Sequence, residues 1–205
     1  MDALSTIFGS EARVRIMRLF LFNTEDIFDM DMVCKKSLVS RNTTKKEISN
    51  LEKSKFLKRK KFFKIVQKKK GKKIKDVKVK SQGFYLNEDF PYITALKQLL
   101  IKTQTLEGGE VIGKLSKAGK LKLVVVAGVF TQDKNSRADM LVVGDNVSKS
   151  TLNSIIKTME AELGKELTYV HFETQDFQYR LSMYDKLIRD ILDYPHQVLL
   201  DKISI

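Results

Sequence analysis

At 205 residues the chain is long enough for one generous core or for two compact domains of about 100 residues each. Its 42% hydrophobic and 31% charged residues read as an ordinary soluble globular protein, too apolar for a disordered chain and too polar for a membrane-embedded one. The formal net charge of +13 points to an anionic partner once it is located along the chain. Residues 1–104 carry 25 Lys and Arg against 11 Asp and Glu, a net of +14, whereas residues 105–205 carry 13 against 14. A basic surface confined to one half suits phosphate neutralisation with counterion release. A solvated lysine-rich face or affinity for an acidic membrane surface are the competing readings of charge alone.

No window approaches about 18 consecutive apolar residues, and Met1-Asp2-Ala3-Leu4-Ser5 lacks a basic region followed by an apolar run. A cytoplasmic protein without membrane association is therefore expected. The single cysteine, Cys34, lies in a periodic apolar pattern with Met30, Val33 and Leu38 and reads as a reduced thiol in or near the core.

In chain order, Ser10 is a good N-cap for a helix through Val14, Ile16, Met17, Leu19 and Phe20, with Leu4, Ile7 and Phe8 packing on its start. The polar break Asn23-Thr24-Glu25-Asp26 leads to a second amphipathic helix, about Phe28 to Lys36, acidic in its first turn and basic in its last. Ser40 then caps a third helix in which Thr44, Ile48 and Leu51 fall on the inward face. Its outward face holds Arg41, Asn42, Thr43, Lys45, Lys46 and Ser49, the side chains that bond phosphates and base edges, gathered at a helix N-terminus.

An extended run follows from Phe56 through Lys58, Arg59, Lys60 and Lys61 to Gln67. Lys68-Lys69-Lys70-Gly71-Lys72-Lys73 breaks it, and a second run spans Ile74 to Leu86, with Val77 and Val79 alternating against Lys78 and Lys80. Gly71 between two β-rich runs signals a long hairpin with a lysine-loaded tip. Asp89-Phe90-Pro91 starts a helix over about Tyr92–Thr103, and Gly108-Gly109 supplies a flexible joint.

The second half alternates helix and strand. A short helix, about Glu110 to Lys117, precedes the apolar run Leu121 to Phe130, which implies a strand buried on both faces. A polar loop leads to a strand at Ala138–Val143, a helix at about Ser150–Leu163 and a third strand at Leu167–Phe172. Helical segments are expected at Asp176–Leu192 and Pro195–Lys202. The fold class is α+β. His171 and His196 are the two histidines and no cysteine pair exists, so no zinc site is expected. His171 reads as a satisfied residue of a buried strand, and Phe177, Tyr179, Tyr184 and Tyr194 read as packing rather than a ligand box.

Residues 5–60, through Leu38-Val39-Ser40-Arg41-Asn42-Thr43-Thr44, the Ile48 to Leu51-Glu52 spacing and the basic hairpin, resemble winged-helix transcriptional regulators of the ArsR/MarR type. The second half is similar to the nucleotidyltransferase fold of the DNA polymerase beta superfamily. The apolar strand ending in Gly128, the loop of about ten residues, and Ser136-Arg137-Ala138-Asp139 to Val143 carry that likeness. The resemblance implies an N-terminal winged helix-turn-helix domain with a long basic β-hairpin wing over residues 1–90, a linker helix over 91–106 and a small α/β nucleotidyltransferase-like domain over 107–205.

Active members of that superfamily place a Gly-Ser pair after the first strand and two aspartates one residue apart, with a third carboxylate often on a later strand, around two magnesium ions. Here Val129 follows Gly128, Arg137 stands at the first aspartate position, and Asp139 alone is in register. The second domain is therefore expected to be catalytically inactive, with no catalytic residues, metal or cofactor. Asp139 is left to pair with Arg137 or to cap a loop.

The resulting expectation is a DNA-binding transcriptional regulator, a homodimer on duplex DNA. Arg41, Asn42, Thr43, Lys45 and Lys46 would approach bases and phosphates; Lys58, Arg59, Lys60, Lys61, Lys68, Lys69, Lys70, Lys72 and Lys73 would track the backbone. The second domain would dimerise, sense an unknown effector or recruit a protein partner. Two alternatives stand beside this reading. One is an active divergent nucleotidyltransferase acting on nucleic acid or protein. The other is an RNA-binding protein without sequence preference, stacking unpaired bases on Phe62, Phe63, Phe84 or Tyr85, although hairpin placement favours packing of these rings against the helices.

Overall fold

Short helices with one apolar face need a partner surface, and in the first hundred residues a long hairpin supplies it. The computed structural model describes residues 3–70, 73–102, 108–133 and 135–204, with the backbone alone for 68–70, 73–75 and 102. The architecture is mixed α and β. The chain divides into two units, Met1–Gln104 with Glu160–Lys165, and Thr105–Met159 with Glu166–Ile205. Among the described residues no helix is long and apolar enough to cross a membrane.

The first unit begins with α1 (Ala3–Ile7) and α2 (Glu11–Phe22). Ser10 caps α2, its hydroxyl accepting from the Arg13 amide at 3.1 Å. Val14, Ile16, Leu19 and Phe20 turn inward and are buried. Phe28–Asp29 is not the start of the second helix but a two-residue strand, β1, and α3 covers Met30–Ser37. Asp29 accounts for the difference: its carboxylate accepts from the Met32 amide at 2.9 Å, so it caps the helix in extended conformation and leaves Phe28 free to pair. Helix α4 covers Arg41–Lys53, and Leu38 makes the turn between α3 and α4 with a left-handed backbone, φ 52°. That turn leaves Leu38 about half exposed, and Cys34, expected in or near the core, is half-buried.

Strands β2 (Leu57–Lys70) and β3 (Lys73–Leu86) form an antiparallel ribbon of fourteen residues a side, running from Leu57 opposite Leu86 to Lys70 opposite Lys73. At about 3.3 Å per residue it is roughly 45 Å long. Strand β1 pairs with β3 at Phe28–Phe84 and Asp29–Gly83, giving the order β1-β3-β2. Gly83 is required there, because an added Cβ would lie 2.5 Å from the Ile27 side chain and 2.7 Å from Phe62. The base of the ribbon closes the core: Leu57, Phe84 and Leu86 are buried with Phe20, Phe28, Ile48 and Phe56. Phe20 meets Phe28 edge to face at 5.5 Å, and burying each such ring contributes about 2–3 kcal/mol.

The expected linker helix is α5 (Ile93–Lys97) continued by a π-helical turn, Gln98–Lys102. Its Leu100 is fully buried in the same core, and the Leu100 carbonyl accepts from Arg18 Nε at 3.0 Å. Leu100 thus ties the segment to the first unit's core, and residues 103–106 of the expected linker lie outside the described residues.

In the second unit, α6 covers Gly108–Leu115, so Gly108 and Gly109 belong to its first turn and not to a joint. Strands β4 (Lys120–Val126), β5 (Met140–Asp145), β6 (Tyr169–Phe172) and β7 (Gln197–Asp201) form one sheet in the order β6-β5-β4-β7. Strand β5 runs antiparallel to β4 and parallel to β6, and the parallel pair is joined through helix α7 (Lys149–Leu163), the crossover such pairing needs. Leu123, Val125, Leu141 and Val143 pack with Phe177 of α8 (Thr174–Ser182) and with Ile188 and Ile191 of α9 (Lys186–Leu192). The alternate residues Val124, Met140 and Val142 are also fully buried, as the continuous apolar run predicts. Pro195–Lys202, expected to be helical, contains β7 instead: five residues carry too little periodicity to choose, and the open edge of β4 supplies the hydrogen bonds.

Candidate nucleic-acid interface

Helix α4 is held so that its N-terminal face looks outward. Ser40 caps it, accepting from the Thr43 amide at 3.3 Å, while Thr44, Glu47, Ile48 and Leu51 are buried. Arg41, Asn42, Thr43, Lys45 and Lys46 are exposed, and Ser49 is half-buried at the margin. Arg41 forms an ion pair with Asp31 of α3, and the Thr43 hydroxyl lies 2.9 Å from that of Ser40. Among the described residues no ion pair holds Lys45 or Lys46.

Two buried carboxylates fix this face, Glu47, whose spacing from Thr44 and Leu51 puts it on the inward face, and Asp29, whose partners are distant in sequence. Glu47 accepts from Ser10 Oγ at 2.9 Å and Arg13 Nε at 2.8 Å, tying α4 to the N-terminus of α2. Burial pushes its carboxyl up, but the bonds from Arg13 and Ser10 outweigh that and hold it below its usual range. Asp29, besides capping α3, accepts from Lys64 of the ribbon and from Ser81 Oγ at 3.4 Å. Here too burial raises the carboxyl, and Lys64 with the Met32 amide more than reverses it. The ribbon and α3 are thus joined through one acid.

The ribbon concentrates the charge. Residues 58–80 carry thirteen Lys and Arg against one Asp, so this one element accounts for nearly all of the chain's +13. Near its base, Lys58 pairs with Asp89 at 2.8 Å, and Arg59 pairs with Glu52 and lies 5.7 Å over the Phe84 ring. Lys60 and Lys61 are exposed on opposite faces, and no ion pair among the described residues holds them. Farther out, the register sets Lys68 opposite Lys75 and Lys70 opposite Lys73, with Lys69 opposite Ile74. Lys72 lies outside the described residues. Phe84 is buried, and Phe62 and Tyr85 are half-buried, as packing requires, but Phe63 is 69% and Ile65 66% exposed. The register places these two with Lys61, Lys78 and Lys80 on the ribbon's open face.

Comparisons of the chain with protein-family models, with curated proteins and with solved structures found no match.

The second motif lies in the loop after β4. Gly128 has φ 54°, and Asp139 accepts from the Val129 amide through Oδ1 and from the Thr168 amide through Oδ2, both at 2.8 Å. A Cβ on Gly128 would stand 2.3 Å from Asp139 Oδ1. Of the two roles expected for Asp139, capping is the one the geometry adopts; Arg137 pairs instead with Asp190 at 2.7 Å. Among the described residues no group of three His, Cys, Asp or Glu side chains is placed to hold a metal ion. His171, expected to be satisfied, is so only in part: its ring bonds the Gly144 backbone, but Nε2 is buried without a hydrogen-bond partner among the described residues, and burial, with Lys149 nearby, lowers its pKa.

Proposed function

We propose that the first unit is a winged helix that binds duplex DNA and that the chain is a transcriptional regulator. The observation that carries this reading is the exposed N-terminal face of α4 standing on the same small core as a ribbon with thirteen cations to one acid. In this reading α4 enters the major groove, where Arg41 and Asn42 meet base edges, and the ribbon is the wing, its lysines following phosphates. Arg41, Lys58 and Arg59 exchange their intramolecular carboxylates for phosphate or base acceptors. Because such surface pairs contribute little in water, the exchange costs little.

The second unit, in this proposal, is a nucleotidyltransferase-like domain without transfer activity that serves dimerisation, ligand sensing or partner binding. The fit to a pair of magnesium ions is poor: one carboxylate remains, both its oxygens accept backbone amides, and the neighbouring position is an arginine. A radiolabelled-nucleotide transfer assay with magnesium or manganese is expected to show no product. Activity abolished by Asp139→Ala would overturn this.

Selection of bound fragments from a random duplex library at about 150 mM salt tests the main reading, since purely electrostatic binding is weakened there. An enriched motif, palindromic for a two-fold dimer, is expected. Binding without enrichment favours the second reading, non-specific single-strand or RNA binding, for which exposed Phe63 among lysines is the specific observation. Competition between duplex DNA and single-stranded RNA then separates the two.

A further inference from the structure

The second unit is nearly neutral in sum, yet three of its lysines converge. Lys120, Lys122 and Lys202 line an open cleft of about 340 Å³ over the apolar side chains of Ile112, Leu121 and Leu200. Lys122 sits at an irregularity of β4, where the register against β5 shifts between Leu121 and Leu123. Such bulges re-aim side chains. Here Leu121 and Leu123 are buried while Lys122 between them lines the cleft.

On the other edge of β4, Leu123 is opposite Asp201, and the Lys202 amide donates to the Lys122 carbonyl at 2.8 Å. The Lys122 and Lys202 backbones therefore meet one position past the last ladder pair, and both side chains line the same cleft. Like charges at opposed sheet positions repel and destabilise the pairing unless an anion lies between them. The acids beside the trio, Asp145 and Asp201, are fewer than its three lysines. The Asp201 carboxylate accepts from the Ile203 and Ser204 amides at 2.9 and 2.8 Å. Asp145, opposite Lys120, feels Lys122 and Lys120, but it is one charge against three. Among the described residues no ion pair holds Lys120, Lys122 or Lys202.

We propose that this cleft binds a small organic phosphate. Phosphoryl oxygens bridge the Lys122 and Lys202 ammonium groups, Lys120 closes the rim, and the apolar body of the ligand rests on Ile112, Leu121 and Leu200. Compact ammonium groups with three donors suit phosphate, and the volume falls at the lower end of the roughly 300–1,000 Å³ usual for small-molecule pockets. The site is separate from the Asp139 loop and stands whether or not the first unit binds DNA.

The test is a titration of the full, ¹⁵N-labelled chain with adenosine diphosphate in metal-free buffer, read by amide chemical shifts. The ribbon lysines attract any polyanion, so position is the readout. Saturable shifts at Gly119–Leu123 and Leu200–Ile203 are expected. In Lys122→Gln/Lys202→Gln these shifts should require at least about tenfold more ligand, with any ribbon shifts unchanged. The ligand-free double variant should also unfold about 1–5 °C higher, because the repulsion is gone. Should the double variant not fold, the single Lys202→Gln variant gives both readouts. No saturable shifts at the second-unit positions, variants that keep those shifts, or a Lys202→Gln variant that unfolds at a lower temperature would each overturn the proposal.

Discussion

Glu47 and Asp29 show how a few buried side chains place an exposed surface. Glu47→Gln keeps the shape but removes the charge that receives Arg13 and Ser10; it should destabilise the first unit by about 1–3 kcal/mol in urea unfolding. Both carboxyls titrate lower in the folded chain than their ordinary values of 3.8 and 4.5. As pH falls the unfolded chain therefore takes up protons first. The contribution of the two acids is complete above about pH 5 and is lost as pH drops through the folded values. Unfolding free energy that stays level from pH 5 to pH 2 would contradict this. In the second unit, Gly128→Ala combines a left-handed backbone with a clash against Asp139 and should cost about 2 kcal/mol or more, visible as a lower unfolding midpoint. Glu47 was within reach of sequence reasoning, since it lies three residues from Thr44 and four from Leu51 on the inward face. Asp29 was not, because its partner Lys64 is thirty-five positions away and only the fold brings them together.

At the scale of elements, the ribbon and α4 divide the work under the proposed function. A two-stranded ribbon is marginal by itself, and β1 covers only two residues of it. Like-charged positions oppose each other near its tip, a pattern that phosphate would relieve. Lys60→Gln/Lys61→Gln should weaken binding to all duplexes alike and lower the salt slope by roughly 0.9 for each phosphate that is no longer neutralised. An unchanged slope would remove the ribbon from the interface. Arg41→Ala should instead relax preference at one base position by about 1–3 kcal/mol, measured by competition between matched and mismatched sites. The hairpin and the inward face of α4 were legible because alternation and the spacing of Thr44, Ile48 and Leu51 are local signals. Strands β1 and β7 were not, because two and five residues hold too little periodicity and their hydrogen bonds come from β3 and β4.

Across the whole molecule, charge is partitioned by unit: the first carries the cations of the ribbon, while residues 105–205 are close to neutral. Under the proposed function, duplex binding should therefore be steeply salt-dependent and survive substitutions in the second unit's lysine cleft. The small organic phosphate proposed for that cleft would give the second unit a role that does not require transfer chemistry. The two proposed functions are separable by variant: ribbon substitutions test DNA binding, and Lys122 with Lys202 tests phosphate binding.

The sequence by itself determined the class of structure, the position of most helices and strands, the place of the cationic excess and the single carboxylate, Asp139, two residues after Arg137. Each of these is written in neighbouring residues, through periodicity, caps and charge counts. Only the tertiary structure decided that Asp139 caps two loops, that Leu100 belongs to the first core, that Phe63 stays exposed while Phe62 is half-buried, and that Lys122 meets Lys202 across a strand pair. Those outcomes depend on contacts between residues far apart in the chain, which local pattern does not encode.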